Sequence, residues 1–177
     1  KDEIMTENRM KIQEKTIETF MSLVWKVNSF KTVTLDDNYQ LGLKHIQGYE
    51  CLGSCSAAER ALLALSFTLA LHQVSGFSSP LVIDTPVSRI SDENRKNFAS
   101  VFNTFSKDKQ IILLFTPDEY SPDIKKVFDL VCSTKNILHT VDEKKTVQLE
   151  IHTADGFFHR LAMVLSVIWP FAGIVSI

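Results

Sequence analysis

The chain has 177 residues, enough for one domain with its own core. Apolar residues make up 45% and charged residues 23%, an ordinary globular composition. A formal net charge of −2 gives no bulk reason to expect nucleic-acid binding, although it leaves room for a local basic patch. Cys51, Cys55 and Cys132 match no zinc or redox spacing and read as reduced thiols, as expected of a cytoplasmic protein. The chain begins at Lys1 rather than Met and carries no signal-peptide pattern, so it reads as a piece of a longer protein.

Residues 1–26 contain no Gly or Pro, and Met10, Ile17, Phe20, Met21 and Val24 recur at steps of three, four and seven. That is a helical face, either the end of a coiled-coil arm or an amphipathic helix packed on the domain. Val33, Leu35, Tyr39, Leu41 and Leu43 alternate around Asp36-Asp37-Asn38 and predict a hairpin. Ala57 to Val74 is a strongly apolar helix that Gly76 and Pro80 end. Leu81-Val82-Ile83, closing on Asp84, reads as a short buried parallel strand. A helix over 92–105, a second buried strand over 111–115 and a helix over 123–131 follow. Ile137–Val141 and Val147–Ile151 predict a closing hairpin. This order implies an α/β fold, a partly parallel sheet flanked by helices, over residues 27–151.

Residues 152–177 differ in character. From Leu161 to Ile177 the run is uncharged and apolar, and Pro170 interrupts it. A membrane span needs about 20 such residues. Three readings stand: a buried or mispacked tail, a membrane or interfacial anchor, and non-native sequence from an altered reading frame.

Two local features carry chemistry. Ser56-Ala57-Ala58-Glu59 heads the apolar helix and has the form of a capping box, in which Ser56 and Glu59 satisfy each other's backbone amides. By itself that is structural, but a helix N-terminus also offers free amides and a positive dipole end to an anion. Asp84 stands about twenty-five residues later, at the C-terminal end of a buried strand, where α/β folds hold metals or orient water.

The stretch SCSAAERALLALSFTLALHQVSGFSSPLVIDTPVSRISDENRKNF resembles the C-terminal lobe of SMC-like ABC-type ATPase heads. Within that superfamily it is most similar to the DndD-type ATPases of bacterial DNA sulfur modification and to related phage-defence ATPases. Those carry LSAGER-x-x-LALS, an apolar strand ending IDTP, and RLD-x-x-HR. The similarity covers about residues 50–118 well and the flanking helix and hairpin loosely. It implies that Cys55-Ser56-Ala57-Ala58-Glu59 is the signature loop, which contacts the γ-phosphate of ATP held by the opposite protomer. Ser56 would donate its hydroxyl and Ala58 its amide. It implies that Asp84 is the Walker B aspartate, holding Mg2+ through water. Ile90-Ser91-Asp92 would be the D-loop that crosses the dimer interface, and Thr116 would occupy the switch position that senses the γ-phosphate.

This sequence departs from the pattern at instructive places. The signature leucine is Cys55 and its glycine is Ala58, whose methyl crowds a phosphate. The glutamate that follows the Walker B aspartate in most ABC enzymes, and activates water, is Thr85. Ser91 replaces the D-loop aspartate, with Asp92 directly after it, and Thr116 replaces the switch histidine. No G-x-x-x-x-G-K-[ST] loop is present; of six glycines none precedes a lysine.

The resemblance therefore implies half an ATP site. ATPase activity is expected only with a P-loop-bearing N-terminal lobe, upstream or on a separate chain. Its further implied partners are a second head in a homodimer, DNA, and other subunits of a modification or defence complex. Turnover is expected to be slow. The alternative is a catalytically weak, ATP-gated scaffold or interaction module, or one tethered to a membrane through the tail.

Overall fold

A computed structural model describes residues 2–87, 90, 92–105, 110–130, 132, 134–140, 147–153 and 161–167. They fall into two compact units, one formed by 1–77 with 89–101 and the other by 78–88 with 102–177.

The first unit opens with helix α1 (Asp2–Leu23), followed by strands β1 (Phe30–Leu35) and β2 (Leu41–His45) and helix α2 (Ala57–Val74). The antiparallel hairpin β1–β2 turns where expected. Asp36 Oδ1 accepts from the amides of Asn38 and Gln40 at 2.9 and 2.7 Å, which lets Tyr39 take a positive φ of 60°. α1 packs on α2 and β1. The buried face of α1 is Ile12, Thr16, Phe20 and Leu23, at steps of four, four and three. Met10, counted on that face from the sequence, is instead 64% exposed. Thr16 is tolerated inside because its hydroxyl donates to the Ile12 carbonyl at 2.7 Å. Phe20 stacks edge-on against Phe30, with centroids 5.4 Å apart. Arg9 Nη1 donates to the Leu35 carbonyl at 2.7 Å, and Gln13 Oε1 accepts from the Leu35 amide at 3.0 Å. These bonds fix the hairpin's end against the helix. The first part of helix α3 (Asp92–Phe105) closes this unit. The buried Asn94 accepts from the Trp25 amide at 2.8 Å, and Asn97 donates to the Leu23 carbonyl at 3.4 Å. Both satisfy backbone groups at the end of α1.

The second unit is a five-stranded sheet in the order β3-β4-β7-β5-β6. Its strands are β3 (Leu81–Asp84), β4 (Ile111–Phe115), β5 (Thr134–Thr140), β6 (Val147–Thr153) and β7 (Leu161–Val167). β3, β4, β7 and β5 are parallel, and β6 runs antiparallel to β5. In β4, Ile111, Leu113 and Phe115 are fully buried and alternate with half-buried neighbours, as a strand covered on its faces requires. The helix expected over 123–131 is α4 (Pro122–Phe128), and the hairpin strand expected from 137 starts at Thr134. Phe128 and Tyr120 both pack on Phe115, with centroids 5.4 and 5.5 Å away.

The described part of the apolar tail is strand. Leu161–Val167 is a strand inserted between β4 and β5, paired with both. The rest of the tail, 154–160 and 168–177, lies outside the described residues, as does the turn over 141–146. No helix among the described residues is long and apolar enough to cross a membrane.

Candidate functional site

The signature-like loop is built by short-range bonds. Cys51 ties the loop to β2: its amide and its Sγ both donate to the Leu43 carbonyl, at 2.8 and 3.2 Å. A single 3-10 turn over Leu52–Ser54 returns the chain to Cys55, whose Sγ donates to the Cys51 carbonyl at 3.3 Å. Burial raises both thiols; that of Cys55 is pushed up from 9.0 to about 11. Neither is a nucleophile at neutral pH, since the thiolate is the reactive form.

Ser56 is the N-cap of α2. The Glu59 amide donates to Ser56 Oγ at 3.2 Å, and the Ser56 amide donates to Glu59 Oε2 at 2.7 Å, completing the reciprocal box. Arg60 Nη1 donates to the Cys55 carbonyl at 2.7 Å and braces the entry. Ser56 and Ala57 are exposed, and Ala58 and Glu59 are half-buried. The first-turn amides of Ala57 and Ala58 have no intrahelical acceptor, so the end of α2 presents donors and a positive dipole end outward.

In the other unit, Asp84 ends β3 and is exposed. Thr85 follows with φ +47°. A β-branched residue there is strained, typically by about 1–3 kcal/mol. Its amide is held by the Leu114 carbonyl at 2.9 Å, one rung past the Asp84–Leu114 pairing. The chain thus leaves β3 by a sharp change of direction, and Val87 is buried just beyond.

Thr116 is the first residue past β4 and is half-buried. Its amide and its Oγ1 both donate to Glu119 Oε2, at 3.1 and 3.2 Å. Glu119 is 5% exposed, and its Oε1 has no hydrogen-bond partner among the described residues. Glu119 was not singled out in the sequence; the trace it leaves there is the Thr116-Pro117-Asp118-Glu119 turn directly after a buried strand.

The structure therefore gathers the expected residues at two places. Ser56, Ala57, Ala58 and Glu59 share the head of α2, whereas Asp84, Thr85 and Thr116 sit at the C-terminal ends of the adjacent strands β3 and β4. Ile90 is buried and its carbonyl accepts from Arg95 Nε at 3.1 Å. Ser91 and the side chain of Asp92 lie outside the described residues. Among the described residues no three His, Cys, Asp or Glu gather as a metal cage. Mg2+ in nucleotide sites takes one or two carboxylates plus substrate phosphates and water. A lone exposed carboxylate at a strand end suits that demand.

No protein-family model matches the sequence, and no curated relative matches it significantly. Solved structures do match the fold. One comes from a study of ATP-driven dimerisation and DNA-stimulated activation of SMC ATPases, at 16% identity and TM-score 0.63, over 86% of this chain and 90% of that one. An Smc head bound to the C-terminal winged-helix domain of ScpA aligns at 14% identity and TM-score 0.68, over 87% of this chain and 46% of that one. An Smc head with an extended coiled coil from Pyrococcus furiosus, bound to the C-terminal domain of ScpA, aligns at 16% and 0.61, over 81% and 35%. The chain has the fold of an SMC head domain: helices with a partly parallel sheet, and a leading helix consistent with a coiled-coil arm. It spans about half or less of the length of the two ScpA-bound heads.

Proposed function

We propose that this chain is the C-terminal half of an SMC-like ATPase head that binds ATP and Mg2+ between two dimerised heads and acts on DNA. The observation that carries the reading is Asp84, exposed at the C-terminal end of β3, which is one of the two edge strands of the described sheet. Leu81 and Thr85 donate towards β4, to the carbonyls of Gln110 and Leu114 at 3.0 and 2.9 Å. By the alternation of a ladder, the amides of Val82 and Asp84 point to the open edge, and Val82 is 56% exposed there. An open edge of this kind calls for another strand. In the proposed head that strand belongs to a P-loop-bearing lobe, and the lobe brings the phosphates to Asp84. Ser56, Ala57, Ala58 and Glu59 would complete the site of the opposite head, with Ser91 and Asp92 crossing the interface between them.

The finer reading follows the IDTP strand end and the signature form. It places the parent protein with DndD-type and related phage-defence ATPases, in a bacterial cytoplasm, working on DNA modification, repair or defence with partner subunits. Thr85 and Thr116 in place of glutamate and histidine favour slow turnover, so that ATP acts as a clamp. A second reading, an ATP-gated scaffold without turnover, draws on the same two substitutions. Two measurements on the head assembled with its P-loop lobe separate these. Ser56→Arg is expected to abolish ATP-dependent dimerisation, and intact dimerisation would sink the signature assignment. ATP turnover that Asp84→Asn abolishes supports the enzyme, whereas turnover never above background supports the scaffold.

A further inference from the structure

We infer that Glu119, acting through the Thr116 hydroxyl, accepts the proton that Thr85 cannot take. The inference rests on the ATPase reading above and deepens it. As a turn cap, Glu119 needs only Oε2, which receives both the amide and the hydroxyl of Thr116. Oε1 is buried without a hydrogen-bond partner among the described residues. Leaving a buried acceptor in that state costs on the order of 1–3 kcal/mol, so the turn alone does not account for a carboxylate here. A glutamine, or a smaller polar residue, could cap the same amide.

Position supplies the second argument. Asp84 pairs with Leu114, and neighbouring strands lie about 4.8 Å apart. Thr85 and Thr116 therefore leave the same end of adjacent strands. Thr116 is half-buried and Glu119 is buried, so the hydroxyl is the accessible end of the pair. Because Thr116 Oγ1 donates its proton to Glu119 Oε2, its lone pairs are left to accept from a water. Threonine alone is a poor base; threonine backed by a carboxylate is a relay.

The step balances as follows. The water oxygen bonds to the γ-phosphorus while the bond from that phosphorus to the β–γ bridging oxygen breaks, and ADP leaves with the electron pair. The water proton moves to Thr116 Oγ1 as the Thr116 proton moves to Glu119 Oε2. Once phosphate has left, the proton returns from Glu119 through the Thr116 hydroxyl, the accessible end of the pair, to solvent.

The test uses the head assembled with its P-loop lobe and follows turnover, KM for ATP and the lifetime of the ATP-bound dimer. Glu119→Gln keeps an acceptor oxygen for Thr116 and nearly the same volume but takes no proton. It is expected to lower kcat about 10²- to 10³-fold, within the span of general acid–base catalysis. KM should change less than about twofold by the same logic, since binding is untouched. The ATP-bound dimer should live longer in proportion to the lost turnover. Thr116→Val should match that loss, and Thr116→Ser should restore most of it. Glu119→Gln or Thr116→Val at wild-type kcat and dimer lifetime would overturn the relay and leave Glu119 a turn cap. If Asp84→Asn also left turnover unchanged, the ATPase reading itself would fall; if Asp84→Asn alone abolished turnover, only the relay would.

Discussion

The head of α2 and the paired ends of β3 and β4 are both candidate phosphate sites, yet they are built in opposite ways. At α2, the box formed by Ser56 and Glu59 is closed on itself, with the buried Cys51 and Cys55 anchoring the loop to β2 and no strained backbone. Its groups are occupied in keeping the helix. At the strand ends, Asp84 is exposed, Thr85 is held at φ +47° and Glu119 Oε1 lacks a hydrogen-bond partner among the described residues. There the structural bonds run through the Thr85 amide and Glu119 Oε2, while the Asp84 side chain is left exposed. In the function proposed above, the first would serve as a docking edge, rigid before its partner arrives, and the second as a reacting edge, whose groups wait for a substrate.

That contrast is sharpest in the response to substitution. Asp84→Asn is expected to remove turnover of the assembled head, by about 10²-fold or more where an ion-holding group is lost. It should leave the unfolding free energy of the chain within about 0.5 kcal/mol, as for an exposed surface residue. A large loss of stability in urea would show that Asp84 holds the strand end together, and would erase the distinction. Thr85→Gly is expected to stabilise the chain by about 1 kcal/mol, because it relieves a side chain in the left-handed region. The gain is read from a higher denaturation midpoint at constant m. A loss instead would mean that the Thr85 side chain, rather than the Leu114 carbonyl bonded to its amide, fixes the turn.

The α2 loop should answer to alkaline pH through Cys55. Burial raises the Cys55 thiol from 9.0 to about 11, so the folded state holds that proton more tightly than the unfolded chain. The linked stability is fully present below pH 9 and is lost as pH climbs towards 11. Denaturation midpoints measured across that window should fall less steeply in Cys55→Ala than in the parent. An unchanged slope would place the alkaline loss elsewhere.

How far the sequence foretold each region depends on how local its causes are. Ser56 and Glu59 are three residues apart and need only each other, so the cap is visible in four letters. Leu81–Asp84 and Ile111–Phe115 are visible because a buried parallel strand must be apolar throughout. Leu161–Val167 reads ambiguously for the same reason: an uncharged run has no period, and only pairing with both β4 and β5 makes it a strand. The face of α1 slipped from Met10 to Ile12 because Thr16, a polar residue, lies on the buried stripe and hides it. The φ of Thr85 and the burial of Glu119 were not legible, since one depends on a carbonyl of another strand and the other on how a turn folds back. The cap and the strand-end residues Asp84, Thr85 and Thr116 are thus readable from local pattern, whereas the backbone of Thr85 and the Glu119 partnership depend on contacts distant in the chain or on how a turn closes.

The smallest expected effect probes the docking edge alone. Ser56→Ala removes the acceptor of the Glu59 amide while leaving the exposed position otherwise unfilled. N-cap losses of this type cost about 1 kcal/mol. Ser56→Asp keeps an acceptor and adds a negative charge at the positive end of α2, so it should restore that stability. The same charge should repel a phosphate, and the assembled head should lose ATP-dependent dimerisation although the chain is as stable as the parent. Chemical denaturation reads the first effect and sedimentation with and without ATP reads the second. Should Ser56→Asp dimerise normally with ATP, the head of α2 is a helix cap and nothing more, and the two regions no longer divide the labour between docking and chemistry.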